Sequence, residues 1–334
     1  MSVKLKIIKI GIFLALISCI AACGSDDADP SSEGASDYTL AKRLDSYEFD
    51  PASPLIDRVN EAPDFVLSYL EDVMDATQVY TPYTPSDTEM EDIRDYLGLL
   101  PESYMETLQE RLIAVYFINN WTGSGAADYV FNSDNEVYTY IIVNPEIMRH
   151  DVSEWITYRE TSCFITDDEE DRGITITVDC GNEYTGLMVL LIHESSHVMD
   201  FAHHYTPYVL EGIGQSVSET DFVKGIWTDY DIPVEDADFS MRDYITFYGK
   251  YNGPMIYASQ ASALYEDLEN TPFSSLYASQ NWAEDFAEYC TWRYFTNRLG
   301  QPYIITVSRD GVTEMIYEPM QSYQVRERTG TPLF

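Results

Sequence analysis

Residues 185–202 read TGLMVLLIHESSHVMDFA. The apolar run Leu187 to Ile192 leads straight into His193-Glu194-Ser195-Ser196-His197, and the whole stretch predicts an apolar helix. On a helix, positions i and i+4 share one face. The imidazoles of His193 and His197 therefore point the same way. Two such imidazoles can take one tetrahedral Zn²⁺ and leave a position open for water. Glu194, beside the first imidazole, can reach that water as a general base. Four of the five histidines of the chain fall within residues 193–204, which concentrates this chemistry in one element. His150 and His204 read as structural.

A third metal ligand has to come from elsewhere, and two residues compete. One is Glu284, which shares a helical face with Glu288 at i, i+4. Either carboxylate could ligate while the other orients a histidine. Asn281 and Glu284 also make a plain helix-capping pair, with Glu288 a surface carboxylate. The other is His203, because residues 193–203 spell HExxHxxDxxH. That spacing resembles the metzincin pattern HExxHxxGxxH, with Asp200 where the pattern has its turning glycine and Met241 as a candidate Met-turn. Asp accepts a positive φ less readily than Gly.

The stretch 277–288, YASQNWAEDFAE, favours Glu284. It resembles the catalytic domain of anthrax toxin lethal factor and its relatives, which carry YxxxNxAExFAE together with HExxH. Tyr277, Asn281, Ala283, Glu284, Phe286, Ala287 and Glu288 match, and Asp200 stands where that family has an Asp after HExxH. The resemblance implies a zincin fold in which Zn²⁺ is held by His193, His197 and Glu284. It also implies that Tyr277 steadies the oxyanion and that Glu288 supports the site from behind. It covers residues 193–200 and 277–288 only, and the long stretch between them implies an insertion.

Outward from these motifs, residues 54–75 read as a helix. Ser86 with Glu89 opens a second, and Pro101 starts a third that runs to about Leu112. Strands are expected at 113–118 and 138–143. A hairpin is expected from 161–166 and 174–178 around an acidic tip, 167–171, which is either a solvated turn or a calcium site. Helices follow at 257–269 and 281–298, then a hairpin at 304–307 and 312–317 around Asp310-Gly311. The order argues α+β. We expect a sheet-bearing lobe over 39–204 and a helical lobe over 205–334, with a cleft between.

The ends and the composition set the compartment. Lys4, Lys6 and Lys9 precede an apolar run, Ile10 to Ala22, shorter than the about 20 residues a membrane span needs. Ile20-Ala21-Ala22-Cys23 resembles a lipobox. Residues 1–22 are thus expected to be a bacterial lipoprotein signal, Cys23 the acylated anchor in the cell envelope, and 23–38 a flexible tether. The formal charge of −38, from 57 acidic against 19 basic residues, excludes a phosphate-binding basic face and with it nucleic acid. In an exported chain Cys163 and Cys180, flanking the expected hairpin, can form a disulfide, leaving Cys290 a buried thiol. These features together imply a zinc peptidase acting on peptides or proteins outside the cytoplasm. The rival expectations are a metzincin-like enzyme using His203 and a non-catalytic zinc-binding lipoprotein. A purely structural zinc site would close with four protein ligands and gain nothing from Glu194.

Overall fold

The computed structural model describes residues 36–74, 76–166, 169–207 and 219–332. The expected signal, Cys23 and nearly all of the tether lie outside the described residues, as do two residues of the acidic tip.

The chain opens with a short helix, α1 (Asp37–Ala41), a two-residue strand, β1 (Val59–Asn60), and α2 (Asp64–Val73). The helix expected over 54–75 is shorter because Pro63 can only sit at its start, so the residues before it form a 3₁₀ turn and β1. Then come β2 (Thr81–Pro82), α3 (Asp87–Gly98) and α4 (Glu102–Arg111). The Ser86–Glu89 capping box that opens α3 is formed. Strands β3 (Leu112–Asn119), β4 (Gly125–Phe131) and β5 (Val137–Val143) follow.

The main sheet has the order β1-β3-β5-β4, with β2 also on β3. Strands β1, β3 and β5 are parallel, and β4 runs antiparallel to β5 at the edge. Side chains alternate faces along each strand. On one face Val115, Phe117, Ile141 and Val143 join the larger core; on the other Tyr116, Ile118, Tyr140 and Ile142 join a smaller one. Helix α2 covers the smaller core with Val66, Tyr69 and Leu70. Both faces are buried, which explains why β3 is an unbroken apolar run from Leu112 to Ile118 rather than an alternating one.

The larger core is built around α6 (Gly186–His203), preceded by α5 (Val152–Thr161), β6 (Phe164–Ile165) and β7 (Ile174–Asp179). Every residue of α6 from Gly186 to Asp200 is buried, as an all-round apolar helix requires. Two glycines admit the close packing. A Cβ on Gly186 would meet Trp155 of α5 at 2.9 Å, and one on Gly125 of β4 would meet Leu190 of α6 at 3.0 Å and the Ile142 carbonyl at 2.3 Å.

The chain continues through β8 (Trp227–Asp229), β9 (Ile232–Pro233), β10 (Ile256–Tyr257), α7 (Ala261–Glu269), α8 (Trp282–Asn297), β11 (Ile304–Arg309) and β12 (Val312–Tyr317). The C-terminal hairpin β11–β12 is formed around Asp310 and Gly311, both at positive φ. The class is α+β, with helices packed on a five-stranded and a three-stranded sheet.

Two expectations are corrected by the structure. Residues 161–166 and 174–178 do not pair with each other: β6 pairs with β10 and β7 with β11. The disulfide that this hairpin would have aligned is not formed, and Cys163, Cys180 and Cys290 are buried free thiols. The three-stranded sheet β12-β11-β7 draws strands from both sides of residue 204. Among the described residues, no helix is long and apolar enough to cross a membrane.

Candidate metal centre

Helices α6 and α8 pack against each other and bring the two motifs together. His193 Nε2 lies 3.2 Å from His197 Nε2 and 3.2 Å from Glu284 Oε2, and His197 Nε2 lies 3.5 Å from the same oxygen. Three buried donors thus face one point, and among the described residues they are the group able to hold a metal ion. Asn281 fixes the start of α8 by accepting from the Ala283 and Glu284 amides, each at 3.0 Å. The expected Asn281 cap and the ligand role of Glu284 are therefore compatible: the cap uses the Glu284 backbone, and the side chain is free to face the histidines.

His203 is not part of this group. Helix α6 does not turn at Asp200 but runs on to His203, and its left-handed cap is His204, at φ 56°. His203 instead reaches Thr107 Oγ1 at 2.9 Å. The HExxHxxDxxH spacing thus does not bring His203 to the other two imidazoles. Asp200 accepts from both the amide and the hydroxyl of Thr206, at 2.6 Å each, which ties the chain back after the helix. His150 sits on the surface beside Glu154.

Behind the donors stands a buried charge network. Glu288, fully buried, lies 3.1 Å from His193 Nδ1. It also accepts both ends of the Arg159 guanidinium, at 2.7 and 3.0 Å, together with Ser275 Oγ at 2.6 Å and Trp292 Nε1 at 2.9 Å. Burial opposes its ionisation, but Arg159 and His193 overcome this and hold Glu288 well below the usual carboxylate range. Arg159 lies 3.6 Å from Glu160 as well, so one guanidinium serves two buried acids. Burial opposes the charge of His193 too, yet its bonds to Glu284 and Glu288 carry its pKa up to about 10. In Glu284 the contacts with His193 and His197 outweigh burial and pull the pKa down to about 2. Without a metal, then, a cationic imidazole holds the carboxylates together. With Nδ1–H kept on Glu288, removal of the Nε2 proton leaves a lone pair facing Glu284 and His197, which is the donor set a cation needs.

Glu194 is also buried, and burial pushes its carboxyl up, while the two histidines and the Ala127 amide hold it down. Its Oε2 has no hydrogen-bond partner among the described residues. Tyr277 packs edge-on to Phe247, with ring centroids 4.9 Å apart, and 6.0 Å from the His193 ring. Burial and the nearby acids raise its pKa, so the hydroxyl stays protonated. His193, Glu194, Tyr277 and Glu284 all line one cleft of about 1110 Å³.

Sequence reasoning missed Arg159, Ser275, Trp292 and the edge strand β4. Arg159 had a usable signal: Asp151 and Glu154 form a capping pattern, and the Asp151 side chain does accept from the Glu154 amide to open α5. Trp292 follows Glu288 by one helical turn, which puts both on one face. No protein-family model matches this chain, nor does any curated protein or any solved structure.

Proposed function

We propose that this chain is a zinc-dependent peptidase of the zincin type. The observation that carries the reading is a three-donor set beside Glu194, whose Oε2 is buried and unpaired. The donor separations of 3.2, 3.2 and 3.5 Å suit the ion. Ligand bonds of about 2.0–2.1 Å at tetrahedral angles set donors roughly 3.3 Å apart. Two imidazoles and one carboxylate are also the ligand chemistry of catalytic rather than structural zinc. His193, His197 and Glu284 would hold the ion, which when bound lowers the pKa of water to about 7 and polarises a carbonyl.

The chain's own residues supply the rest. Glu194, its pKa raised by burial toward the range where a base works best, takes a proton from water and passes it to the leaving amine. Tyr277, kept protonated, donates to the oxyanion that develops on the attacked carbonyl. Strand β4 lies at the sheet edge with the Ala127 amide against Glu194, so an extended peptide can add to that edge. The match to the lethal factor motif supports the same assignment. The proposal includes export and anchoring at the bacterial envelope through acylated Cys23, with peptide substrates met outside the cytoplasm.

The test is metal analysis and cleavage of a peptide library by the purified chain and its Glu194→Gln variant. Both should hold one zinc, and only the wild type should cleave. Stoichiometric zinc without cleavage of any peptide would overturn the peptidase reading in favour of a binding protein.

A further inference from the structure

Lys250 lines the cleft with His193, Glu194, Tyr277 and Glu284. The cleft is also lined by two arginines, and both are engaged. Arg159 is bound to Glu288, and Arg242 to Asp238 at 2.8 Å and Asp243 at 3.3 Å. Among the described residues no carboxylate lies within ion-pair distance, 4.0 Å, of the Lys250 ammonium. Burial lowers its pKa, and Glu284 is the acid that opposes this. A ligated Glu284 shares its charge with the metal and serves Lys250 less. A half-buried cation is then left in the cleft without an ion-pair partner, and charges withdrawn from water are normally paired.

The backbone that delivers Lys250 is constrained. Tyr248, Gly249 and Asn252 all have positive φ, at 58°, 71° and 63°. Non-glycine residues adopt this conformation at a cost and keep it where the surroundings enforce it. The Tyr248 ring is flanked by Tyr158 and Phe247, and its amide donates to Ser162 Oγ at 3.1 Å. The cleft is also lined by Ile232 and Tyr244, each 53% exposed. Exposed apolar side chains and an ammonium without an ion-pair partner in one cleft suit a peptide that brings both a carboxylate and an apolar side chain.

We propose that Lys250 is a specificity-determining residue that pairs with a carboxylate of the peptide substrate. The inference rests on the peptidase reading. The carboxylate has two sources, the C-terminus of a short peptide or an Asp or Glu side chain near the scissile bond. The experiment compares internally quenched peptides in matched pairs, free acid against C-terminal amide and Glu against Gln at each flanking position. Wild type is set against Lys250→Met and Lys250→Arg at equal zinc content. One pair should show a preference of roughly tenfold or more in kcat/KM for the charged member, as a charge-assisted hydrogen bond gives. Lys250→Met should collapse that ratio and Lys250→Arg should keep most of it. Loss of preference in the amide pair identifies the C-terminus, and loss in the Gln pair identifies a side chain. Equal cleavage of both members by wild type, or a ratio unchanged in Lys250→Met, overturns the proposal. If wild type cleaves nothing, the peptidase reading fails. Fluorescence titration of the same pairs against wild type and Lys250→Met then decides the carboxylate contact by binding alone.

Discussion

Replacing Arg159 by Met tests the buried network most directly. The Arg159 side chain is 7% exposed and its partners Glu288 and Glu160 are 0% exposed, so water cannot take over the lost contacts. Removing one partner of a buried ion pair costs about 3–5 kcal/mol, because the other charge is stranded. Here two acids are stranded. Glu288 keeps Ser275, Trp292 and His193, but among the described residues Glu160 keeps only the Tyr265 hydroxyl, at 2.9 Å, with its other oxygen unpaired. The upper part of that range is therefore expected, against a total stability of about 5–15 kcal/mol for a typical domain. Urea denaturation of wild type, Arg159→Met and Arg159→Lys without metal measures it. Lys keeps the charge but cannot span both Glu288 oxygens, so its loss should be smaller. A second readout separates the site from the scaffold: chelator competition should show zinc affinity reduced about tenfold, the lower end of what indirect ligand supports contribute. Combining Arg159→Met with Glu288→Gln should cost less than the sum of the two, since each removes the same pair. A loss under about 1 kcal/mol with unchanged zinc affinity would refute the reasoning.

Glu284→Ala should lose nearly all zinc on dialysis while His203→Ala retains it; the reverse pattern would return the third ligand to His203. Cys163, Cys180 and Cys290 should resist alkylation in the native protein and all react after unfolding without reductant, whereas two missing thiols would restore the disulfide. Without metal, His193 should stabilise the fold in a pH-dependent way. Its folded pKa of about 10 lies above the unfolded value of 6.5, so its contribution is complete below 6.5 and is lost as pH rises through 10. The urea midpoint should fall between pH 7 and 10 in the metal-free protein and fall less in His193→Asn; equal slopes would show that His193 is not held as a cation.

The helices that carry the donors were legible because their signals are local. The imidazoles at i and i+4 on α6, and the Asn281 cap with Glu284 and Glu288 on α8, need only helical geometry to be read. Strands β3 and β5 were legible as continuous branched and aromatic runs. Strand β4 was not, and its packing explains why. It begins Gly125-Ala126-Ala127, residues of low strand propensity, because α6 lies so close that a side chain on Gly125 would strike Leu190. The requirement that placed β4 against the site removed the pattern that would have announced it.

Helix α5 was hidden for a related reason. A helix is recognised by an apolar stripe facing the core. On α5 the core-facing positions include Arg159 and Glu160, both buried. Read as sequence, those charges belong on the solvent face, and the period is lost. In the structure they are inside because Glu288 and Tyr265, from distant parts of the chain, arrive to pair with them. Neither partner is inferable from α5 itself. Burying a guanidinium and two carboxylates is a poor way to stabilise a core, so a fold selected for stability alone would place apolar residues there. What the network gives instead is a charge held on Glu288, 3.1 Å from His193 Nδ1. The positions where hydrophobic patterning fails are thus the positions that hold the donor set in one orientation, and a buried charge on an otherwise core-facing helix is itself a signal to search the sequence for its partner.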